Sequence, residues 1–396
     1  MDSIQHGEFV GGLETQRLVA ATERKLGLGR SVKRGAAAAA PPEQELPLAV
    51  AYLNAVGAAV PRHEVHAQFV AYAPRLLGSP RDRRLFARMA ERAGIDRRYS
   101  VLAPHPDPER LDLAGFYRAG AFPGTAARMR LFEQHAADLA FAAALDLDAD
   151  LEGISHLVLA TCTGLFAPGL DLQLIERLSL ERTIERTVVG FMGCSAAINA
   201  LKVARHIVRS QPDARVLLVC LELCTLHLQE TDDLEQVLSF LIFADGCAAG
   251  LVSAEPRGLA LHDFYVAVMP EAADQITWRI GDAGFDMRLS GEVPKSIARG
   301  LPSHLPAILA GRERQDIVLW AIHPGGRSVL DAAERALELP AGRLLRSREI
   351  LRRYGNMSSA TILFVLQAML EDGARGLGCA ISFGPGLVAE TMLFEA

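Results

Sequence analysis

An α/β fold is predicted for this chain on three observations. From Leu46 onward, short apolar runs alternate with amphipathic stretches, the pattern of strands and helices packed in layers. Half of the 396 residues are hydrophobic and 22% are charged, which supplies a large core. One pattern also occurs twice. Gly193-Cys194 opens a helical stretch followed by the apolar run ARVLLVCLEL, and Gly355-Asn356 opens another followed by LGCAISF. Two halves built alike around a shared cleft account for this repeat.

Residues 1–45 stand apart. Glu14–Leu28 has a helical pattern, but Arg30–Arg34 is basic and Ala36–Ala40 runs into Pro41-Pro42, so a flexible extension is expected. The first half is expected over residues 46–260 and the second over 261–396. Strands are expected at Ala49–Ala55, His156–Thr161, Arg215–Leu223, Gly246–Val252, Ile317–Ile322 and Leu377–Phe383. Helices are expected at Asp82–Ala93, Gly124–Leu147, Asp171–Leu178, Ser195–Ser210, Pro294–Leu309, Ser328–Leu337 and Ser358–Asp372.

Bulk properties narrow the function. A net charge of -6 carries no global basic signature, which argues against nucleic acid as a partner. No apolar run reaches the roughly 18–20 residues needed to span a bilayer. The opening MDSIQHGEFVGGLETQ lacks the basic and apolar regions of a secretory signal, so a cytoplasmic location is expected. Cys162, Cys194, Cys220, Cys224, Cys247 and Cys379 form no CxxC pair and no disulfide spacing. Reduced thiols and no metal site are expected.

Three polar residues stand beside small ones at the edges of these elements. Cys194 follows VVGFMG and precedes SAAINALKVARHIV. The glycine permits a tight entry, and a thiol at a helix start feels the positive end of the dipole, which favours thiolate. A buried, inert cysteine fits the local context equally well. His323 ends the apolar run DIVLWAI and is followed by Pro-Gly-Gly, which leaves room for a ligand; a hydrogen-bonded structural histidine is the alternative. Asn356 lies between Gly355 and Met357-Ser358-Ser359, where a helix N-cap is the competing role.

The words around these residues carry more. GFMGCSAAINALKVA, LVCLEL, FLIFADGCAAGLV, WAIHPGG, YGNMSSATILFVL and SFGPGLVAET, in this order, resemble the type III polyketide synthases of the chalcone synthase superfamily. The resemblance spans roughly residues 47–394. It implies a thiolase-like αβαβα layered sandwich made of two pseudo-duplicated halves. It also implies that Cys194 carries the acyl group and that His323 and Asn356 complete its triad. Phe243 falls where the family has an aromatic gatekeeper, and Ser382–Gly386, with Gly384 and Pro385, resembles the loop that shapes the cavity wall.

By the same register Cys224, His227 and Leu228 would line the starter region. Trp278, Met287 and Ser358 would shape the elongation region, and Ala167 the wall nearest a second subunit. Arg88, Arg92 and Ser328 stand at positions that contact CoA, while Leu85 replaces a third basic residue. Cys162 is expected to fill core. The implied substrates are an acyl-CoA starter and malonyl-CoA, with no cofactor, in a homodimer.

Cys224, His227 and Trp278 depart from the plant chalcone synthases, and Met287 and Ala167 open room for an alkyl chain. Fatty acyl starters giving alkylpyrones or alkylresorcinols are therefore expected ahead of a malonyl-primed polyhydroxyaromatic product. A ketoacyl synthase III-like enzyme using acyl carrier protein, a papain-like hydrolase and a silent scaffold are the alternatives.

Overall fold

The computed structural model describes residues 49–396; the expected extension at residues 1–45 lies outside the described residues. The first half opens with β1 (Ala51–Ala59), β2 (His63–Glu64), α1 (His66–Tyr72), α2 (Pro80–Arg92), β3 (Tyr99–Ser100) and α3 (Thr125–Leu145). It continues through β4 (His156–Thr161), α4 (Leu170–Arg177), β5 (Glu185–Gly190), α5 (Ala196–Ser210), β6 (Val216–Leu223), α6 (Leu234–Ile242) and β7 (Asp245–Ser253). Next come β8 (Leu259–Val268), the hairpin β9 (Ile276–Gly281) and β10 (Gly284–Leu289), α7 (Val293–Leu309) and β11 (Leu319–Ile322). The chain ends with α8 (Arg327–Ala336), α9 (Leu345–Tyr354), α10 (Ala360–Glu371), β12 (Leu377–Gly384) and β13 (Val388–Glu395).

Nine strands form one mixed sheet in the order β11-β12-β13-β8-β1-β7-β6-β4-β5. The duplication is visible in this order. β1, β7, β6 and β4 are echoed by β8, β13, β12 and β11, and the halves meet where β1 runs antiparallel to β8. The boundary expected at 260/261 falls inside β8. The outer strands are parallel in each half, β6, β4 and β5 in the first and β11 with β12 in the second. Parallel neighbours need a crossover, and α5 and α10 provide it. Cys194 and Asn356 stand at the starts of these two crossovers.

The crossovers form the middle layer. Ala197, Ala200, Leu201 and Ala204 of α5 pack in one core with Ile362, Leu363 and Leu366 of α10 and with strands of both halves. Each fully buried leucine there, Leu201 among them, stabilises the fold by about 1.5–3 kcal/mol. Phe132, Ala136 and Ala140 of α3 cover the outer face of the first half. Ile297 and Leu301 of α7, with Leu330 of α8, cover the outer face of the second. The result is the expected five layers, helix-sheet-helix-sheet-helix.

Several bounds differ from expectation. β1 runs on to Ala59 because Gly57 is a packing residue: a Cβ there would lie 2.5 Å from Ala143 O of α3. The expectation passed over β2, β3, β5, β8, β13, the β9–β10 hairpin, α1, α6 and α9. β5 is mostly exposed, and β8 changes from a buried to a partly exposed run along its length, which blurs the period of 2. Among the described residues no helix is long and apolar enough to cross a membrane.

Candidate active site

Cys194 sits in the turn Gly193–Ser195 between β5 and α5. The chain enters through two left-handed residues, Phe191 (φ 56°) and Gly193 (φ 57°). A Cβ on Gly193 would lie 2.5 Å from Pro385 Cδ, and one on Gly384 would lie 2.4 Å from Ser195 Oγ. The loop of Gly384 and Pro385 therefore closes directly on the Cys194 turn, and glycine is required on both sides of the contact.

His323 follows β11 and prolongs its ladder, its N–H donating to Ile381 O at 2.8 Å. The imidazole is buried, and neither ring nitrogen has a hydrogen-bond partner among the described residues. Asn356 is stitched to the segment after α6: its N–H donates to Ile242 O at 2.8 Å, and its carbonyl accepts from Ala244 N at 2.9 Å. Asn356 thus forms a parallel bridge with Phe243. Its side-chain Oδ1 accepts from Ser358 N at 2.9 Å. The same amide meets the nucleophile: Nδ2 donates to Cys194 Sγ at 4.0 Å, and the Cys194 thiol lies 3.9 Å from Oδ1.

Cys194, His323 and Asn356 line one internal cavity of about 60 Å³. Phe243, Cys224, Trp278, Met287, Ser358 and Pro385 complete its wall, as expected from sequence. Trp278 and Met287 face each other across the β9–β10 hairpin, and Trp278 Nε1 donates to Cys162 O at 2.7 Å. His227 stands behind this wall rather than in it. It stacks on Phe285 with centroids 4.4 Å apart, bonds Thr163 O through Nε2 at 2.7 Å and accepts from Phe285 N at 3.1 Å. Leu228 belongs to a separate cavity on the other side of Phe243. Gly384 backs the turn, and Ala167, cis to Pro168, is exposed and away from the cavity.

A groove of about 600 Å³ shares Leu289, Val293, Gly325 and Val329 with the inner cavity. Arg92 and Ser328 line it; Arg88 is exposed and is not part of its wall. Arg327, at the start of α8, also lines the groove and donates to Arg92 O at 3.3 Å. It supplies a cation that sequence reading missed.

Two further groups were missed. Cys162, expected in the core, is on the cavity wall, where its Sγ accepts from Gly193 N at 3.1 Å. Glu222 is fully buried and accepts from Cys162 N at 3.0 Å, Thr163 Oγ1 at 2.9 Å and Ser359 Oγ at 2.5 Å. Burial pushes its carboxyl up to about 7, although those donors pull it down. Among the described residues no cluster of His, Cys, Asp or Glu is arranged to hold a metal ion.

Burial also dominates the titration of the two reactive side chains. The surface Cys194 keeps faces the cavity, and burial pushes its thiol up to about 11 despite hydrogen bonding to Ser358 and Asn356. Burial holds His323 down at about 3. The helix-start effect expected to favour thiolate is outweighed, so the resting site holds a thiol and a neutral imidazole. Proton transfer between them would create opposite charges on one cavity wall, whose attraction offsets part of both desolvation costs.

These shifts predict the pH dependence of stability. His227 and His323 are lowered to about 3 and His66 to about 4, so each favours the fold when neutral and loses that contribution as pH falls below 6.5. Glu222, raised to about 7, and Asp245, raised to about 6, stay protonated in the fold and act in the opposite sense. Between pH 6 and 4.5 three imidazoles oppose two carboxyls. His63, His135 and His206, also lowered by burial, add to the imidazole side, so stability falls on acidification. Below 4.5 Glu222 no longer differs from the unfolded chain, and the slope steepens. Urea unfolding between pH 6.5 and 4 should show this steepening, and a flat profile would contradict the buried neutral imidazoles.

Two family models match the chain, the chalcone and stilbene synthase N-terminal domain at residues 45–256 and the C-terminal domain at 261–396. The chain belongs to the chalcone and stilbene synthases. It is a type III polyketide synthase, as its motifs led one to expect. One relative of this family is the "Alpha-pyrone synthesis polyketide synthase-like Pks18" of Mycobacterium tuberculosis. It is 36% identical over 285 residues, which cover 68% of this chain and 72% of the relative. The bisdemethoxycurcumin synthase of Oryza sativa subsp. japonica is 30% identical over 346 residues, 78% of this chain and 83% of that one.

Solved structures of type III synthases share the fold. The C-terminal domain of Steely1, from Dictyostelium, superposes with a TM-score of 0.80 at 24% identity, covering 87% of this chain and 99% of that one. PKS-I of the brown alga Ectocarpus siliculosus gives 0.77 at 29% identity, covering 89% and 100%.

Proposed function

We propose that this type III polyketide synthase is an acyltransferase that condenses malonyl-CoA onto a starter acyl group held on Cys194. The observation that carries the reading is the single cavity in which the Cys194 thiol, the unpartnered His323 ring and the Asn356 amide all face one space. In the first step the Cys194 proton moves to His323 as sulfur attacks the thioester carbon. The imidazolium then returns that proton to the departing CoA thiolate. The N–H groups at the start of α5 are disposed to hold the oxyanion of this transfer.

Malonyl-CoA then enters by the groove, its phosphates facing Arg92 and Arg327. Its carboxylate leaves as carbon dioxide, and the bonding pair becomes an enolate whose oxygen accepts from His323 N–H and Asn356 Nδ2. The enolate carbon attacks the Cys194 thioester, the carbon–sulfur bond breaks, and the chain is two carbons longer. The carboxylate lost lies β to a thioester carbonyl that these donors polarise, so the step asks for no metal or organic cofactor.

For the product we favour an alkylpyrone. Ile276, Trp278, Met287, Val329 and Phe383 make the cavity wall strongly apolar, which suits an aliphatic starter, and a relative named for α-pyrone synthesis supports lactone closure. Each condensation leaves the longer chain on CoA, and Cys194 takes it back by attack on that thioester, expelling CoA. In closure an enol oxygen of the chain attacks the Cys194 thioester carbonyl, its proton passes to sulfur, and the Cys194 thiol is released. Purified enzyme given malonyl-CoA and a ladder of aliphatic acyl-CoAs should yield products with the masses of hydroxypyrones. Aromatic products made from malonyl-CoA alone would overturn this choice.

We also propose a homodimer. β5 is the free edge of the nine-stranded sheet, and Val188 on it is 49% exposed, with Leu165, Leu172 and Met192 exposed in the neighbouring segments. An unpaired edge with apolar side chains calls for a partner strand, and a second copy would supply one. Light scattering should return twice the chain mass, and Val188→Lys should shift it to monomer. A wild-type monomer would refute the proposal.

A further inference from the structure

Arg98 lies just before β3, is 2% exposed, and has no carboxylate within ion-pair distance among the described residues. A buried guanidinium without a counter-ion is costly, so its surroundings must compensate. They do so through the end of α6. Nη1 donates to Phe240 O at 3.1 Å and to Phe243 O, carbonyls at and just beyond the negative end of that helix. Nε donates to His66 Nδ1 at 3.0 Å, and the guanidinium lies over the Phe69 ring, 5.0 Å from its centroid.

The stem is held as closely. A Cβ on Gly355 would lie 2.8 Å from both Arg98 Cγ and Ile242 O. Asp96 N and Arg97 N both donate to Arg352 O in the last turn of α9, at 2.8 and 3.2 Å. Arg98 is therefore wedged between the two segments that meet at the Phe243–Asn356 bridge. It bonds one of them through its head, packs against the other through its stem, and does not itself line the inner cavity.

We propose that Arg98 is a positioning residue for the decarboxylation half-reaction. By fixing the carbonyls of Phe240 and Phe243 it fixes Ile242–Ala244, the template to which the Asn356 backbone is paired. It thereby sets where the Asn356 amide meets the enolate oxygen. The proposal rests on the Asn356 reading given above. Acylation of Cys194 does not use the Asn356 amide, so the two half-reactions should respond differently.

The test is Arg98→Gln, with Arg98→Lys as the conservative variant, each compared with wild type and Asn356→Ala. Two readouts are taken: the burst of Cys194 acylation by an acyl-CoA, and steady-state decarboxylation of malonyl-CoA. In Arg98→Gln the burst should keep its stoichiometry, and decarboxylation kcat should fall about 10- to 100-fold, the order expected of a displaced catalytic group. Its KM should change much less than kcat, since Arg92 and Arg327, the cations of the groove, are not removed. Arg98→Lys should recover part of the loss, because one ammonium can still reach a carbonyl.

Wild-type decarboxylation in Arg98→Gln would overturn the proposal. So would equal losses of burst and decarboxylation, which mean a smaller folded fraction. If Arg98→Gln does not fold, Arg98→Lys decides by the same split: a selective loss supports the proposal, and parallel losses or none overturn it. Unimpaired decarboxylation in Asn356→Ala would instead sink the Asn356 reading, whatever the Arg98 variants do.

Discussion

Cys194→Ala should lose condensation by at least about 10⁴-fold, the order seen when a covalent nucleophile is removed. It should still decarboxylate malonyl-CoA to acetyl-CoA. The structure separates these outcomes. The substitution removes one sulfur and its long contacts to the Asn356 amide, but Ser358 N still holds Asn356 Oδ1 and the backbone bond to Ile381 still holds His323. The enolate still forms, but it meets no thioester and is protonated instead. Product formation at the wild-type rate would remove Cys194 from the mechanism. Complete loss of decarboxylation as well would mean that the sulfur, not the two donors, organises malonyl-CoA.

Asn356→Ala should show the opposite division. Losing a preorganised donor to a developing oxyanion costs about 100- to 1,000-fold, or roughly 2.7–4 kcal/mol of barrier. Decarboxylation and condensation should fall together by that amount, while Cys194 still accepts a starter acyl group in a single burst. The backbone bonds of residue 356 to Ile242 and Ala244 need no side chain, so the Phe243 segment keeps its place. Asn356→Asp should be slower still, since it sets a carboxylate against the enolate. An acylation burst lost in parallel with decarboxylation would show that the amide serves the first step too.

Much of this site is legible in the amino-acid sequence alone. Cys194 and Asn356 open the two crossovers, and His323 ends a strand, positions that a repeated Gly-polar pattern marks. Other groups hide for identifiable reasons. Cys162 and Thr163 follow β4, the counterpart of β11, so they stand in the first half where His323 stands in the second. Extending the repeat by one strand would have found them.

Glu222 lies inside the buried run of β6, where a single carboxyl reads as the outward face of a strand. Its partners Thr163 and Ser359 are 59 and 137 residues away. Arg98, in the charged stretch IDRRY, has every mark of a surface residue; its burial is decided by the end of α6, far along the chain. His227 shows the converse error. A motif register placed it on the cavity wall, but stacking on Phe285 turns it away.

The β9–β10 hairpin is a two-stranded sheet of its own, outside the nine-stranded one, and it brings Trp278 and Met287 to the cavity as a facing pair. The groups assigned to bond making and breaking all hang on the great sheet and its crossovers. On the proposed reading, the reaction and the room for its product are thus carried by different pieces of the molecule. Substitutions at Trp278 and Met287 are expected to change the size of what is made ahead of the chemistry.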